Sequence, residues 1–347
     1  MPSKIKMKNL PILTIAIPTF DRPKEILKRF DEILPQIRDN HKVQLLVIDN
    51  DSTVSVEKIY TENYGENALE NVKIITNSSN VGLSANVCRC FENASGRWVW
   101  ILGDDDAVRE NAVALLLETI SDTSEDIGCF NFSTDFNLYQ SDAVIATTSE
   151  LEHYLNNNKQ KFNYPVSNFV YISVTCYKLE VFKKLVRYGY LYASTHCPHF
   201  GMILIMLLKR QGSLCIKKSQ LVKWDPNHSG RDWSKIRLIT GTSFFSELES
   251  LDDSCVTIIK SLVNEFCPRG FVKWMFKIVI GDTDVPIGYW YCFFGRLIYF
   301  GRWNVKISSI CFLLLLPALA IPAVRKLFFA ILNPRYRSKL NQGENRI

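Results

Sequence analysis

The chain has 347 residues, 47% of them hydrophobic and 22% charged, enough for a substantial core in one large domain or two smaller ones. Its 41 basic and 35 acidic residues leave a net charge of +6, well short of the basic footprint of a nucleic-acid binder. Ten cysteines form no CxxC pair and no Cys/His set with zinc spacing, and most sit in apolar stretches, as reduced core cysteines do.

The N-terminus, MPSKIKMKNLPILTIAIP, is basic and then apolar. Its apolar part is too short for a signal peptide and lacks a small-residue cleavage site, so it reads as a first strand in a cytosolic chain. That strand, Ile12–Ile17, ends at Pro18, and Asp21 is placed to cap a helix with Pro23 in its first turn. Ile26, Leu27, Phe30, Ile33, Leu34 and Ile37 then recur at helical spacing. Strands are predicted at Val43–Ile48, Val72–Ile75 and Trp98–Leu102, with helices over Leu83–Asn93 (stopped by Gly96) and Ala112–Ile120. This alternation implies βαβ units and a parallel sheet covered on both faces. Several N-x-S/T triplets, among them those at Asn77, Asn93 and Asn131, carry no meaning as glycosylation signals in a cytosolic chain.

Beyond residue 130 the pattern weakens. Residues 133–163 read as loop and irregular structure, Val166–Tyr177 as a strand, Glu180–Arg187 and Phe200–Leu208 as helices, and Leu214–Ile216 as a short strand. A polar loop, Gln220–Ser234, follows. Ile307–Val324 carries no charge and reaches the lower length limit for a membrane span, but Pro317 and Pro322 interrupt it. Arg325, Lys326, Arg335, Arg337 and Lys339 come after it. Charge-free apolar residues beside basic clusters favour a helix at a membrane surface over a buried hydrophobic pair.

The predicted strands end in Pro18-Thr19, Asp49 and Gly103-Asp104, and in open α/β sheets ligands bind outside such carboxyl ends. In WILGDDDAV, continued strand geometry would put Asp104 and Asp106 on one face and Asp105 on the other. Such hard oxygen ligands suit Mg²⁺ or Mn²⁺ held together with substrate phosphates. The other reading is a solvated helix N-terminus, where aspartates are favourable anyway. Asp49-Asn50-Asp51-Ser52 can hydrogen-bond a base or ribose, or simply form a turn. Arg22 can reach a phosphate or merely open its helix, and Asn80-Val81-Gly82 with Asn86 reads as a ligand-lining loop or a helix cap. Neither G-x-G-x-x-G after the first strand nor G-x-x-x-x-G-K-[ST] is present.

In order, IAIPTFDRP, VIDNDS, NVGLSAN and WILGDDD resemble the N-terminal half of family 2 glycosyltransferases of the GT-A fold, over about residues 12–125. The resemblance implies a GT-A-type α/β, Rossmann-like, mostly parallel sheet flanked by helices. The chain is read as a domain over 1–235, with a nucleotide-binding half at 1–125 and an acceptor half at 126–235, followed at 236–347 by a C-terminal helical, hydrophobic extension, membrane-associating by its apolar and basic composition. By position, Pro18, Thr19 and Arg22 would lie near the nucleotide and Asp49 on its base, with Asn80, Gly82 and Asn86 lining the same pocket. The aspartates correspond to the family's DxD motif, which contacts ribose and a Mn²⁺ or Mg²⁺ bridging the diphosphate. Asp104 and Asp105 are thus expected at the nucleotide-sugar, and Asp104 and Asp106 at the metal. Many members have D-x-D-D there, whereas Gly103 replaces the first aspartate in this chain.

An inverting transfer needs a base for the acceptor hydroxyl, and the family usually supplies an aspartate ahead of a helix. The matching segment, STHCPHFGMILIMLLKRQG, has no carboxylate but carries His196 and His199, and it looks like a Tyr-Pro-His stretch of abequosyltransferase-like enzymes. His199, directly before the helix, is the expected base, its alternatives being a cap or a phosphate contact. Asp225, His228, Arg231 and Asp232 stand in the loop beyond, which reads as an ordinary surface loop or as one that closes over the diphosphate. The expected activity is metal-dependent transfer from a nucleotide sugar to a lipid-linked saccharide in bacterial O-antigen or capsule assembly. It is placed at the cytoplasmic side of the inner membrane. The rivals are an inactive binding or assembly subunit of the same fold, and a nucleotidyltransferase, which would need a glycine-rich basic loop after the first strand.

Overall fold

A computed structural model describes residues 10–65, 70–158, 166–193, 196–223, 252–266, 294–295, 298 and 303–319. The chain divides into two compact units. One comprises residues up to 230 together with Ser250–Cys255, and the other the remainder.

The first unit is built on an eight-stranded sheet of order β3-β2-β1-β4-β8-β6-β9-β7. Its strands are β1 Leu13–Thr19, β2 Val43–Asp49, β3 Val72–Thr76, β4 Trp98–Ile101, β6 Ile127–Phe132, β7 Ala143–Ile145, β8 Thr175–Lys178 and β9 Ser213–Lys217. A separate ribbon pairs β5 Ala107–Val108 with β10 Val222–Lys223. β1, β2, β3 and β4 are parallel to one another. β8 runs antiparallel to both β4 and β6, β9 runs parallel to β6, and β7 runs antiparallel to β9. Only β8 and β7 therefore oppose the rest. This direction matters: the amino end of β8 enters the sheet beside the carboxyl ends of β4 and β6.

The predicted elements of the first half hold. Apolar runs such as LTIAIPT and VQLLVID are buried along almost their whole length because helices cover both faces of the sheet. These helices are α1 Pro23–Ile37, α2 Val56–Tyr64, α3 Leu83–Asn93 and α4 Ala112–Ser121. α1 buries Ile26, Phe30, Ile33, Leu34 and Ile37 against the sheet's core. Pro18 sits inside β1, a central strand, without breaking it. β1 pairs with β4 only over Leu13–Ala16, so the missing N–H of Pro18 faces no ladder partner. The α1 cap is a correction. Arg22 is the N-cap residue, without a side-chain capping bond, while the Asp21 carboxylate accepts from the Thr53 N–H at 2.7 Å.

In the second half, residues read as irregular contain β7 and helix α5, Thr148–Asn158. The stretch predicted as one strand over Val166–Tyr177 splits into α6 Ser167–Val170, a 3₁₀ turn Ile172–Val174 and then β8. Its β-branched and aromatic residues fill the core in three different conformations, which composition alone does not separate. α7 Leu179–Leu191 and α8 Pro198–Leu208 follow as predicted, α8 being buried nearly all round. Cys88, Cys90, Cys129, Cys176, Cys197, Cys215 and Cys255 are buried, and Cys311 is exposed. α9, Asp253–Phe266, begins with Asp252 accepting from the Cys255 N–H at 2.7 Å and the Thr148 hydroxyl at 3.0 Å.

In the second unit, α10 spans Trp303–Leu319 with Pro317 inside it. Phe312 stacks on Phe294 at 5.1 Å, while Ile307, Ile310 and Leu314 are exposed, Leu314 by 78%. Among the described residues no helix is long and apolar enough to cross a membrane. The polar loop with Asp225, His228, Arg231 and Asp232, and the basic tail after Leu319, lie outside the described residues.

Candidate nucleotide-sugar site

The carboxyl ends of β1 and β4 meet in one charged constellation. Arg22 Nη1 donates to Asp104 Oδ1 at 2.9 Å and to Asp105 Oδ2 at 2.5 Å, and the Thr19 hydroxyl donates to Asp104 Oδ2 at 2.8 Å. Backbone strain aims the arginine. Asp21 adopts φ +49°, and its N–H donates to Ser52 Oγ at 2.9 Å, which ties the loop after β1 to the loop after β2. Burial opposes the charge on Arg22, but Asp104 and Asp105 outweigh it and raise its pKa further, so the guanidinium is a fixed cation.

The expectation that Asp104 and Asp106 share a face is corrected. β4 ends at Ile101, and the chain turns over Gly103–Asp106, closed by a long Asp106 N–H to Gly103 carbonyl bond of 3.3 Å. Strand alternation stops with the strand, so Asp104 and Asp105 converge on Arg22 while Asp106 turns back toward the sheet. There Asp106 accepts from the Tyr171 hydroxyl at 2.6 Å and from the Ser173 hydroxyl. Burial and the neighbouring Asp105 charge push its carboxyl up to about 6, against the pull of those two hydroxyls and of Arg29.

Beside this constellation lies an asparagine network. Asn77 Nδ2 donates to Asn50 Oδ1 at 2.8 Å and Asn86 Oδ1 at 2.9 Å, and Asn50 Nδ2 donates to Asn80 Oδ1 at 2.7 Å. Asn86 Nδ2 reaches the Ile48 carbonyl at 3.0 Å, and Arg89 donates to Asn77 Oδ1 at 2.7 Å. These bonds lock the ends of β2 and β3 to the start of α3. Gly82, at φ +81°, enters that helix through a conformation a side chain would strain. Asp49 stands at the strand end as predicted but is wholly buried. Its oxygens serve its own loop, taking the Ser52 N–H at 3.1 Å and lying 3.5 Å from the Val56 nitrogen.

Pro18, Thr19, Arg22, Asp104, Asp105 and Asp106 thus gather at one edge, with Asn80, Gly82 and Asn86 on the adjoining strand ends. His199 stands in the first turn of α8. Its Nε2 is 2.9 Å from the Val170 carbonyl, an acceptor, so the proton resides on Nε2 and Nδ1 carries the lone pair without a protein partner. Burial lowers its pKa to about 4, and the residue is 2% exposed, closed to an acceptor in solution. Sequence reasoning passed over Asn77, Arg89, Tyr171 and Ser173 as site residues. The signal for Asn77 was available: it directly follows an apolar strand, as Asp49 does.

The residues present fit a divalent cation. Two carboxylates converge on one cationic atom, Arg22 Nη1, and a hard-oxygen pair of this kind suits Mg²⁺ or Mn²⁺ completed by substrate phosphates. Among the described residues no group of three or more His, Cys, Asp or Glu side chains makes a full protein cage.

A doubly covered, mostly parallel sheet whose strand ends carry an arginine, paired aspartates and an amide network defines a GT-A-type α/β domain. The family profile described as "Glycosyl transferase family 2" matches residues 14–185, and that stretch is a glycosyltransferase family 2 domain. The chain is similar to abequosyltransferase RfbV of Salmonella typhimurium (strain LT2), at 30% identity over 121 residues, covering 33% of this chain and 34% of that protein. Its fold is that of S. aureus TarS 1–349, with a TM-score of 0.52 at 14% identity, covering 96% of this chain and 93% of that one. The same TarS fragment in complex with UDP-GlcNAc superposes with a TM-score of 0.54 at 13% identity, over 94% and 91% of the two chains.

Proposed function

We propose that this chain transfers a sugar from a nucleoside-diphosphate sugar to a hydroxyl of a saccharide, inverting the anomeric carbon. The observation that carries the reading is the convergence of Arg22, Thr19, Asp104 and Asp105 at the ends of β1 and β4. The leaving group is a diphosphate, and its developing charge needs preorganised positive partners. Arg22 supplies one. Asp104 and Asp105 would hold Mg²⁺ or Mn²⁺, which when bound offsets phosphate charge as a Lewis acid. The asparagine network gives the nucleoside a rigid wall, with Asn80 at its exposed rim.

His199 is the proposed base: neutral at pH 7, with a lone pair on Nδ1. For that role the acceptor's arrival must uncover the ring. A bacterial surface-polysaccharide role, O antigen or capsule, is supported by the similarity to an abequosyltransferase. We place the acceptor on a lipid carrier and the enzyme at the cytoplasmic membrane face, with Ile307, Ile310 and Leu314 of α10 against lipid. These three lie at i, i+3 and i+7, one stripe of a helix.

The closed environment of His199 favours a second reading, a donor-binding subunit without turnover. One screen separates the two: UDP-, GDP-, CDP- and dTDP-sugars with Mn²⁺, scored for sugar release and for transfer to membrane extract. Release and transfer with one donor, lost in Asp104→Asn, support the enzyme. Tight nucleotide binding with no release across the panel supports the subunit.

A further inference from the structure

Resting on the donor-binding reading above, we infer that Tyr171 and Ser173 are positioning residues for the aspartate turn, acting through Asp106, and that glycine at position 103 is part of the same lock. The turn is poorly held by itself. Among the described residues its backbone closure is the 3.3 Å Asp106-to-Gly103 bond, and it carries three adjacent like charges. Ser173 grips it at both ends: its Oγ accepts from the Gly103 N–H at 2.8 Å, and its hydroxyl proton goes to Asp106 Oδ2. Tyr171 takes the other carboxylate oxygen. Burial and the adjacent Asp106 keep the Tyr171 phenol protonated, so it stays a donor.

The departure at position 103 has a steric counterpart. A Cβ there would lie 2.6 Å from Asp106 Oδ2, so the inward-turned carboxylate fills the volume that a side chain would occupy. The reason for glycine here is room for the inward carboxylate, which a side chain would push aside, since Gly103 is not among the glycines of positive φ.

The lock also stands on a rigid base. The Trp100 indole N–H donates to the Ser173 carbonyl at 2.8 Å, which fixes the segment against β4. Behind it, Asn168 donates to Asn131 Oδ1 and to the Phe132 carbonyl at 2.9 Å each, and Asn131 donates to Thr175 Oγ1 at 2.8 Å, all buried. The same segment supplies the Val170 carbonyl that orients His199. With Asp106 committed inward, Asp104 and Asp105 are the pair left facing Arg22. Releasing the lock lets that pair rotate away although no donor contact is removed.

The test is calorimetric affinity of the full chain for UDP, GDP, CDP and dTDP, each with Mn²⁺, alongside urea unfolding. Ser173→Ala and Asp106→Asn should each weaken the best nucleotide by roughly tenfold, on the strength of hydrogen bonds to a charged group. Ser173→Thr, which keeps the hydroxyl, should restore affinity. Tyr171→Phe is the milder variant should Asp106→Asn fold poorly. The decisive measurement is the double variant: if Ser173 acts through Asp106, Ser173→Ala adds nothing in the Asp106→Asn background. Full additivity, or single variants that lose stability yet bind as wild type, overturns the inference and leaves the donor reading standing. A wild-type chain that binds no member of the panel overturns both.

Discussion

The two halves of the sheet build their parts of the site by opposite means. From β1 to β4, every strand runs the same way, and each apolar run ends by delivering polar residues to one edge. From β6 to β9, an antiparallel strand enters at that edge, and the groups it brings precede it: Val170, Tyr171 and Ser173. The first half presents charges toward a ligand. The second half holds those charges in place and orients a histidine through a backbone carbonyl. The general lesson is that strand direction decides whether a site residue follows or precedes its strand.

The largest expected effect lies in the first half. Asp104→Asn should lower kcat/KM by about 10²–10³-fold, the order seen when a preorganised electrostatic partner is lost. It also removes one of the two anionic partners of Arg22. Circular dichroism and urea midpoints should show a folded protein. Near-wild-type turnover would mean that the charged edge is architecture, and the contrast between the halves would collapse.

The next effect belongs to the second half and reads as pH dependence. His199 has a folded pKa of about 4 against an ordinary 6.5. As pH falls below 6.5 the unfolded chain takes up the proton first, so stability is full above 6.5 and drains away down to about 4. The shift corresponds to about 3 kcal/mol. Asp106, with its carboxyl pushed up to about 6, works in the opposite sense over part of this window. The difference between wild type and His199→Gln in urea titrations from pH 7.5 to 4.5 therefore isolates the histidine. Parallel curves would mean that the ring is solvated and open to an acceptor. An unchanged kcat in that variant would remove His199 from the chemistry.

The asparagines sharpen the comparison further. Asn77→Ala strips donors from Asn50 and Asn86 and the acceptor from Arg89, all at one strand edge. Leaving such groups unsatisfied in a buried site costs about 1–3 kcal/mol, readable as a shift of the urea midpoint. Nucleotide affinity should fall with it, because the network joins both strand ends to α3. A loss of stability with unchanged affinity would detach the network from the nucleoside wall.

Legibility followed the same division. Strands β1–β4 and helices α1, α3 and α4 were readable because each couples one clear period to one punctuation residue. Arg22 and the aspartates were readable because they end apolar runs. The relation between Asp104, Asp105 and Asp106 was not, since it depends on where β4 stops pairing, a tertiary fact. Tyr171 and Ser173 were hidden inside a stretch whose β-like composition is spent on a helix, a 3₁₀ turn and a strand. For Asp49 the sequence shows the strand-end position but not that its oxygens also hold the loop after β2.

Asn77, Asn93 and Asn131, three of the N-x-S/T asparagines, give the finest cut. Set aside as signals, they differ sharply as structure. Asn77 and Asn131 are buried hubs, one in each half, whereas Asn93 is half-buried at the end of α3 and donates back to the Arg89 carbonyl at 2.9 Å. That carbonyl sits in the last turn of the helix, where water can replace the amide. Asn93→Ala should therefore cost no more than about 0.5 kcal/mol, the scale of a surface substitution, and leave nucleotide affinity unchanged. Asn131→Ala should cost as much as Asn77→Ala, because it leaves Asn168 and Thr175 short of partners. If Asn93→Ala proved as costly as the other two, burial would not be what separates them, and the assignment of both buried networks to the site would need another basis.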